Sequence, residues 1–400
     1  MSFNIDLSLF DRKAHNPSFG SLRRKLKPEM AAQLIDFCVP VNPYFPTHSM
    51  LQSYKEDLED ILKYYPDQNE PIAETLARVM GLDAQGVVMA NGSTEAITWI
   101  DHLFVKESIA TPIPTFGRWT DQPLETGKRL EVFARQPDQN FALDIDGFVK
   151  FIRSTRSRVA AICNPNNPTG ALLSKSEVLA LCKALGDLDL VIVDESFIDF
   201  SEVEGIPSIA REAQTLSNVI VVKSLGKNFG MHGLRFGYSV SNPKIAAALR
   251  HKLPHWNVNA IGERVIQDLE ANFSAYEASR RQVIADREYL LERLQEVEGI
   301  RVFPSKANFV FIRCPDIVSG ARLRDHLIAT EGLFVRECGN KIGSSSQYIR
   351  IAANPRPHTD RLVGALRRAL KRLTVAGALE ATVGSSLKGT RLLLRSDPQK

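Results

Sequence analysis

The sequence predicts an α/β protein, in which a mostly parallel sheet carries helices on both faces and a smaller α+β unit follows it. Three observations lead there. Short β-rich runs alternate with helix-like segments through the first two thirds of the chain. The polar residues Asn91, Asn164, Asp194 and Ser224 end those runs or directly follow them. From about residue 257 the pattern changes to long helix and then to closely spaced alternating runs. Alternation of strand and helix favours a parallel sheet, and such sheets present their functional residues at the carboxyl ends of the strands.

Taken in order, residues 1–65 read as a loop-rich arm that also contributes to the smaller unit. Its segment Val39 to Pro46 holds three prolines, which forbid a regular helix, and an arm of this kind suits wrapping a partner subunit. Residues 66–256 form the large unit, with strands expected at 86–90, 157–163, 188–194 and 218–224. Residues 257–374 form the smaller unit: long helix to about 299, then the runs RVFPS, NFVFIR, LFVRE and YIRIA. From 375 to 400 the amphipathic period fades and Gly and Ser increase, so this stretch is expected to be a mobile extension.

Composition narrows the function classes. The 400 residues are 44% hydrophobic and 24% charged, ordinary for a soluble globular enzyme, and a formal charge of +4 with scattered basic residues calls for neither nucleic acid nor a membrane surface. The five cysteines are odd in number, far apart and never C-x-x-C, which supports neither a disulfide framework nor a metal site and fits a reducing cytoplasm. The first residues mix charges and lack an apolar targeting core, and no run reaches the eighteen or so apolar residues of a membrane span.

Residues 221–238, VVKSLGKNFGMHGLRFGY, carry the most information. An apolar run delivers Ser224, Lys227 and Arg235 into a segment with four glycines. A lysine that forms a Schiff base needs a lowered pKa and a fixed approach, and a serine and an arginine beside it suit an anionic phosphate. Taken alone, S-x-x-K-x7-R reads equally well as a solvated basic loop. Upstream, however, stand NPNNPTG (164–170) and VIVDE (191–195). These three motifs in this order resemble the pyridoxal 5'-phosphate (PLP) enzymes of the aminotransferase fold, and the resemblance spans nearly the whole chain.

The resemblance implies a role for each residue. Lys227 carries the cofactor, in preference to Lys223 inside the strand-like run. Asp194 keeps the ring nitrogen protonated, although an acid at a strand end is by itself more often a cap or turn residue. Asn167 meets the phenolic oxygen of the ring, and Phe116 in the loop after SIATPIP stacks on it. Gly92, Ser93 and Thr94, directly ahead of a helical run, form a phosphate cup that Ser224 and Arg235 complete. Arg350 is the fork for the substrate carboxylate. Arg336 holds a distal anion on the substrate or serves as a structural ion-pair partner.

Among PLP enzymes the chain is similar to two groups, threonine-phosphate decarboxylases and histidinol-phosphate aminotransferases. The shared pieces are L-I-D-F-C-V-P-V-N-P, Y-Y-P-D, D-E-S-F-I-D-F, G-L-R-F-G-Y, W-N-V-N-A and V-R-E-C-G-N. This implies a homodimer with shared active sites, in which Tyr65 reaches the cofactor phosphate of the neighbouring subunit and Asn42 of the arm lies beside the substrate. Three departures cluster around the substrate. Phe197 replaces a tyrosine, Gly226 precedes the lysine, and His232 follows it by five residues, either as a structural residue or as a substrate-facing acid or base. The expected activity is a PLP-dependent enzyme that forms an external aldimine with a small-molecule substrate, an α-amino acid, and transaminates or decarboxylates it. The alternatives are a specialised lyase, cyclase or oxidative deaminase and, remotely, a PLP-binding regulator, for which residues 1–65 offer no helix-turn-helix.

Overall fold

The computed structural model describes Phe3, Ile5, residues 7–10 and residues 17–393. In chain order the strands are β1 Ile35–Phe37, β2 Val87–Ala90, β3 Ser108–Ile113, β4 Arg129–Ala134, β5 Val159–Cys163, β6 Leu190–Asp194, β7 Val219–Ser224, β8 Gly237–Ser241, β9 Arg301–Ala307, β10 Phe309–Arg313, β11 Leu333–Glu337 and β12 Tyr348–Ala352. A seven-stranded sheet runs β2-β8-β7-β6-β5-β3-β4, parallel except for β8, which is antiparallel to both neighbours.

Its strands read as continuous apolar runs because both faces are covered. In β6, Leu190 and Ile192 enter one apolar cluster, whereas Val191 and Val193 enter the cluster on the opposite face. Side chains that alternate sides along a pleated strand produce this partition. The chain steps outward from β3 to β4 and then returns to lay β5, β6 and β7 on the other side of β3. The crevice beyond the carboxyl ends of β3 and β5 is therefore the topological switch point, where ligands bind in open α/β sheets.

The smaller sheet has the order β1-β11-β12-β10-β9, with β1 from the arm parallel to β11 and the other pairs antiparallel. One face packs on the helices Phe273–Gln295, Gly320–Glu331 and Arg356–Leu393 through Leu290, Leu294, Leu323, Leu327, Leu362 and Leu366. Two expectations change here. The long helix after residue 257 is broken into Ala260–Leu269 and Phe273–Gln295. The last helix runs without a break from Arg356 to Leu393, past the expected change at 375. Ala, Leu, Glu, Lys and Arg are strong helix formers, and isolated glycines cost only about 1 kcal/mol each, so an established helix continues without an amphipathic stripe. No helix among the described residues is long and apolar enough to cross a membrane.

The proline-rich arm segment docks on the turn after β7. Asn42 N–H donates to the Lys227 carbonyl at 3.0 Å, and Asn42 Nδ2 donates to the Asn228 carbonyl at 3.0 Å and to Ser279 Oγ at 2.8 Å. Gly230, at φ +66°, has the Phe45 and Asn42 carbonyl oxygens where a Cβ would stand. Gly230→Ala should therefore lower the unfolding free energy by about 2 kcal/mol or more, measured as a shift of the urea midpoint. An unchanged midpoint would mean that the arm gives way at no cost.

Candidate active site

Over the switch point lies a cavity of about 720 Å³, with walls from the large unit (Ser93, Thr94, Thr115, Phe116, Asn167, Lys227), the arm (Cys38, Val39) and the smaller unit (Arg336, Lys341, Arg350). A second, much smaller cavity of about 10 Å³ shares Phe116, Asn167, Phe197 and Lys227 with it and reaches Asp194 at the end of β6. The Asp194 carboxylate is 4% exposed and accepts hydrogen bonds from Trp119 Nε1 at 2.9 Å and Ser196 N–H at 3.0 Å, which fix its orientation.

Lys227 sits on the short helical turn Leu225–Asn228 that closes β7. Gly226 lets this turn approach the returning chain, because a Cβ there would lie 3.1 Å from His232 Cα and 3.2 Å from the Met231 carbonyl. The Lys227 ammonium lies 5.0 Å from the Phe197 ring centre and 6.0 Å from that of Phe116, with no hydrogen bond or ion pair to any described residue. Burial, reinforced by Arg235 and Arg350 and opposed by Asp194, pushes its pKa down to about 8. Lys223 turns to the other side of the strand and pairs with Asp199 at 3.2 Å and Glu195 at 3.6 Å. Asp199 also accepts from Asn228 Nδ2 at 2.7 Å and Tyr276 OH at 2.8 Å. This buried network braces the turn from below.

At one end of the cavity, Gly92 precedes the helix Ser93–Phe104 with φ +79°. A Cβ on Gly92 would lie 2.8 Å from Arg235 Nη2, and that nitrogen reaches Thr94 Oγ1 at 3.4 Å. A small turn, a helix N-terminus and an arginine thus form a cradle for an anion. Above it, Arg350 is 8% exposed; it donates to Asn167 Oδ1 at 2.8 Å and the Cys38 carbonyl at 2.7 Å, while its buried Nε has no partner. Asn167 Nδ2 has no partner among the described residues and remains a donor toward the cavity.

At the far end, β11 and β12 place Arg336 directly opposite Arg350. Arg336 donates to Asn340 Oδ1 at 3.0 Å and has no carboxylate of a described residue within ion-pair distance. Like charges paired across strands are unfavourable unless an anion joins them. Lys341, which sequence reading missed, projects from the following loop into the same end. Its Nζ donates to the Thr115 carbonyl at 3.0 Å, and burial together with Arg336 and Arg350 pushes its pKa down to about 8. The one signal for it was a second basic residue five positions after Arg336 in V-R-E-C-G-N-K.

His232 also lines the cavity. Burial first, then Lys227, Arg235 and Arg350, push its pKa down to about 4, so the imidazole is neutral near pH 7; its buried Nδ1 has no partner. Five expected site residues are not among those lining the cavity: Asp194, which the small adjoining cavity reaches, Gly92, Ser224, Asn42 and Tyr65. Ser224 is buried opposite Gly237 in the β7/β8 ladder, and Asn42 spends its amide holding the arm. Tyr65 is 81% exposed and lies 4.8 Å from Trp256, ring to ring.

The residues present fit PLP. A desolvated amine without an acceptor, a buried oriented carboxylate in the small adjoining cavity, an aromatic wall and an anion cradle match its aldehyde, ring nitrogen, ring face and phosphate. Residues 32–366 match the family model described as aminotransferase class I and II. An L-serine phosphate decarboxylase of Sulfurospirillum multivorans is 32% identical over 375 residues, covering 90% of this chain and 93% of that protein. Among solved structures, a decarboxylase from Sulfurospirillum multivorans superposes with a TM-score of 0.81 at 30% identity, covering 90% of this chain and 93% of that one. The histidinol-phosphate aminotransferase from Clostridium acetobutylicum superposes with a TM-score of 0.77 at 27% identity, covering 85% and 100%.

Two outcomes are expected from this geometry. Borohydride reduction in the presence of PLP should put the cofactor mass on the peptide with Lys227. Only the neutral amine attacks a carbonyl, so adduct formation by the apoprotein should rise with pH through about 8; label on Lys223 would contradict the assignment. Asp194→Ala should bind cofactor through the cradle yet lose turnover by about a hundredfold or more, about 3 kcal/mol of barrier, while near-normal kcat would assign the ring nitrogen to another group.

Proposed function

The chain belongs to the class I and II aminotransferase family, and on that premise we propose that it decarboxylates an α-amino acid whose side chain ends in a phosphate, of the serine phosphate kind. It is a PLP-dependent enzyme whose chemistry is transamination or decarboxylation of an amino-acid substrate. When bound, the cofactor supplies an electron-withdrawing ring that takes up the electron pair released when a bond at the substrate α-carbon breaks. The observation that carries the proposal is the opposed pair Arg336 and Arg350, for which the described residues provide no carboxylate within ion-pair distance. One anion, the α-carboxylate common to all amino acids, leaves the second arginine unmatched.

In this reading Lys227 binds the cofactor and afterwards holds a mobile proton at its amine, while Asp194 retains the proton of the ring nitrogen. Asn167 donates to the ring oxygen, Phe116 covers the ring, and Gly92, Ser93, Thr94 and Arg235 hold the cofactor phosphate, with Ser224 behind them. Arg350 orients the α-carboxylate and Arg336 meets the substrate phosphate. Neutral His232 contacts the substrate as a hydrogen-bonding group that adds no charge. The relative named L-serine phosphate decarboxylase, 32% identical over 90% of this chain, supports carboxylate loss over amino transfer. Amino transfer is the second reading, favoured by the likeness to a histidinol-phosphate aminotransferase.

We further place two copies together as a homodimer in the cytoplasm. The exposed apolar side chains Leu62, Tyr64, Tyr65 and Trp256 support the dimer, with Tyr65 and the arm carrying Asn42 meeting the neighbouring subunit's site. The five cysteines, all buried and free, support a reducing compartment.

The test is product analysis. With O-phospho-L-serine, the enzyme should release carbon dioxide and O-phosphoethanolamine without any keto-acid acceptor; a keto product formed only with an acceptor present would establish amino transfer. Arg336→Ala should lower kcat/KM for phosphorylated substrates by about 30-fold, about 2 kcal/mol, and spare neutral analogues, whereas Arg350→Lys should weaken all amino acids. Equal losses for Arg336→Ala on both classes would make that arginine structural.

A further inference from the structure

Lys341 is a cation in the substrate cavity for which the described residues supply no counter-ion. Its recorded hydrogen bond uses one of three N–H donors, on the Thr115 carbonyl at 3.0 Å, and its Nζ lies 5.9 Å from the Phe116 ring centre. Two donors remain for the cavity. The loop bearing it is held in place from both sides: it leaves β11 beside Arg336, and Gly343, at φ +77°, rests against Ile113 at the end of β3, where a Cβ would lie 2.8 Å from Ile113 Cδ1. Lys341 therefore spans from the smaller unit to the segment that presents Phe116.

The charges lining the cavity define what it accepts. Lys227, Arg235, Arg336, Lys341 and Arg350 face Asp121 and Glu125, and Glu125 is already paired with Arg118 at 2.9 Å. Arg235 belongs to the cradle at Gly92, Lys227 to the cofactor aldehyde and Arg350 to the α-carboxylate. Arg336 and Lys341 remain at the far end, two cations without an anion. A carboxylate or sulfonate there satisfies one of them; a phosphate dianion satisfies both, and its several acceptor oxygens reach the planar guanidinium and the point-like ammonium together.

Resting on the proposed phosphorylated substrate, we propose that Lys341 is a specificity-determining residue that selects a doubly charged phosphate over singly charged anions of the same size. It does so by contributing the second positive charge at the Arg336 end of the cavity. An ammonium already desolvated in the free enzyme forms this pair with little further loss of hydration.

The test compares two amines of equal length that lack the α-carboxylate, O-phosphoethanolamine, whose phosphate group is a dianion at pH 7.5, and 3-aminopropanesulfonate, whose sulfonate carries a single charge. Binding to the PLP-loaded enzyme is measured by calorimetry. Wild type should prefer the phosphate by tenfold or more. Lys341→Met, which keeps the length of the stem, should weaken phosphate binding by about 30-fold and sulfonate binding by less than about 3-fold, bringing the two toward parity; Lys341→Arg should keep most of the preference. A Lys341→Met variant that loses both ligands equally, or neither, overturns the selective role while leaving the phosphorylated substrate standing. A wild-type enzyme that binds O-phosphoethanolamine no better than ethanolamine overturns the substrate reading and this proposal together.

Discussion

A desolvated ammonium without a counter-ion is costly, and much of this structure serves to keep Lys227 in that condition. The cost appears as a pKa pushed down to about 8, the change that makes an amine nucleophilic near neutral pH. The turn bearing it is fastened on every side. Below, Asn228 is hydrogen-bonded to Asp199, which also holds Lys223 and Tyr276; above, the arm bonds the carbonyls of Lys227 and Asn228. At Gly230 the carbonyl oxygens of Asn42 and Phe45 leave no room for a side chain, and at Gly226 a Cβ would press on His232 Cα and the Met231 carbonyl.

The same economy of carboxylates extends through the cavity. Two buried cations outside the cavity are matched by carboxylates: Lys223 has Asp199 and Glu195, and Arg280 has Glu277 and carbonyl oxygens. In the cavity Arg336, Lys341, Arg350 and Lys227 have only neutral acceptors or none. Leaving cations unmatched destabilises the free protein and favours whatever anion arrives, so the binding energy is set aside in the fold and released on the ligand. His232 follows the same logic from the other direction, since three neighbouring cations and burial keep its imidazole neutral and prevent it from adding a further charge.

The two sheets divide this work. The large sheet places the groups proposed to hold the cofactor at the ends of β3, β5, β6 and β7, all on its carboxyl edge. The smaller sheet supplies the cations Arg336, Arg350 and Lys341, proposed to meet the substrate, from β11, β12 and the loop after β11. Lys341 on Thr115 and Arg350 on Asn167 join the two sets. On the proposed function, substrate anions at Arg336 and Arg350 sit on the smaller unit and the reacting amine on the large one, so the fit between substrate and chemistry depends on the packing between the two.

The sequence by itself determined the parts whose chemistry is local. Asp194, Lys227, Asn167 and Phe116 were legible because each ends or follows an apolar run, and a parallel sheet puts those positions on one edge. The large sheet was legible where strands are continuously apolar; β8, with Ser239 and Ser241 in alternation, and the peripheral β4 were not, because polar or edge strands lack that signal. Tertiary structure alone decided the rest. Arg336 and Arg350 face each other only because β11 and β12 pair in one register, and Lys341 enters the cavity only because its loop rests on the end of β3, more than two hundred residues earlier in the chain. Within the chain Asn42 turns its amide to hold the arm, and Ser224 pairs with Gly237 in the β7/β8 ladder, because a side chain's direction depends on what surrounds it. Spacing along a chain records which groups can be brought together; pairing register and loop packing fix which of them meet.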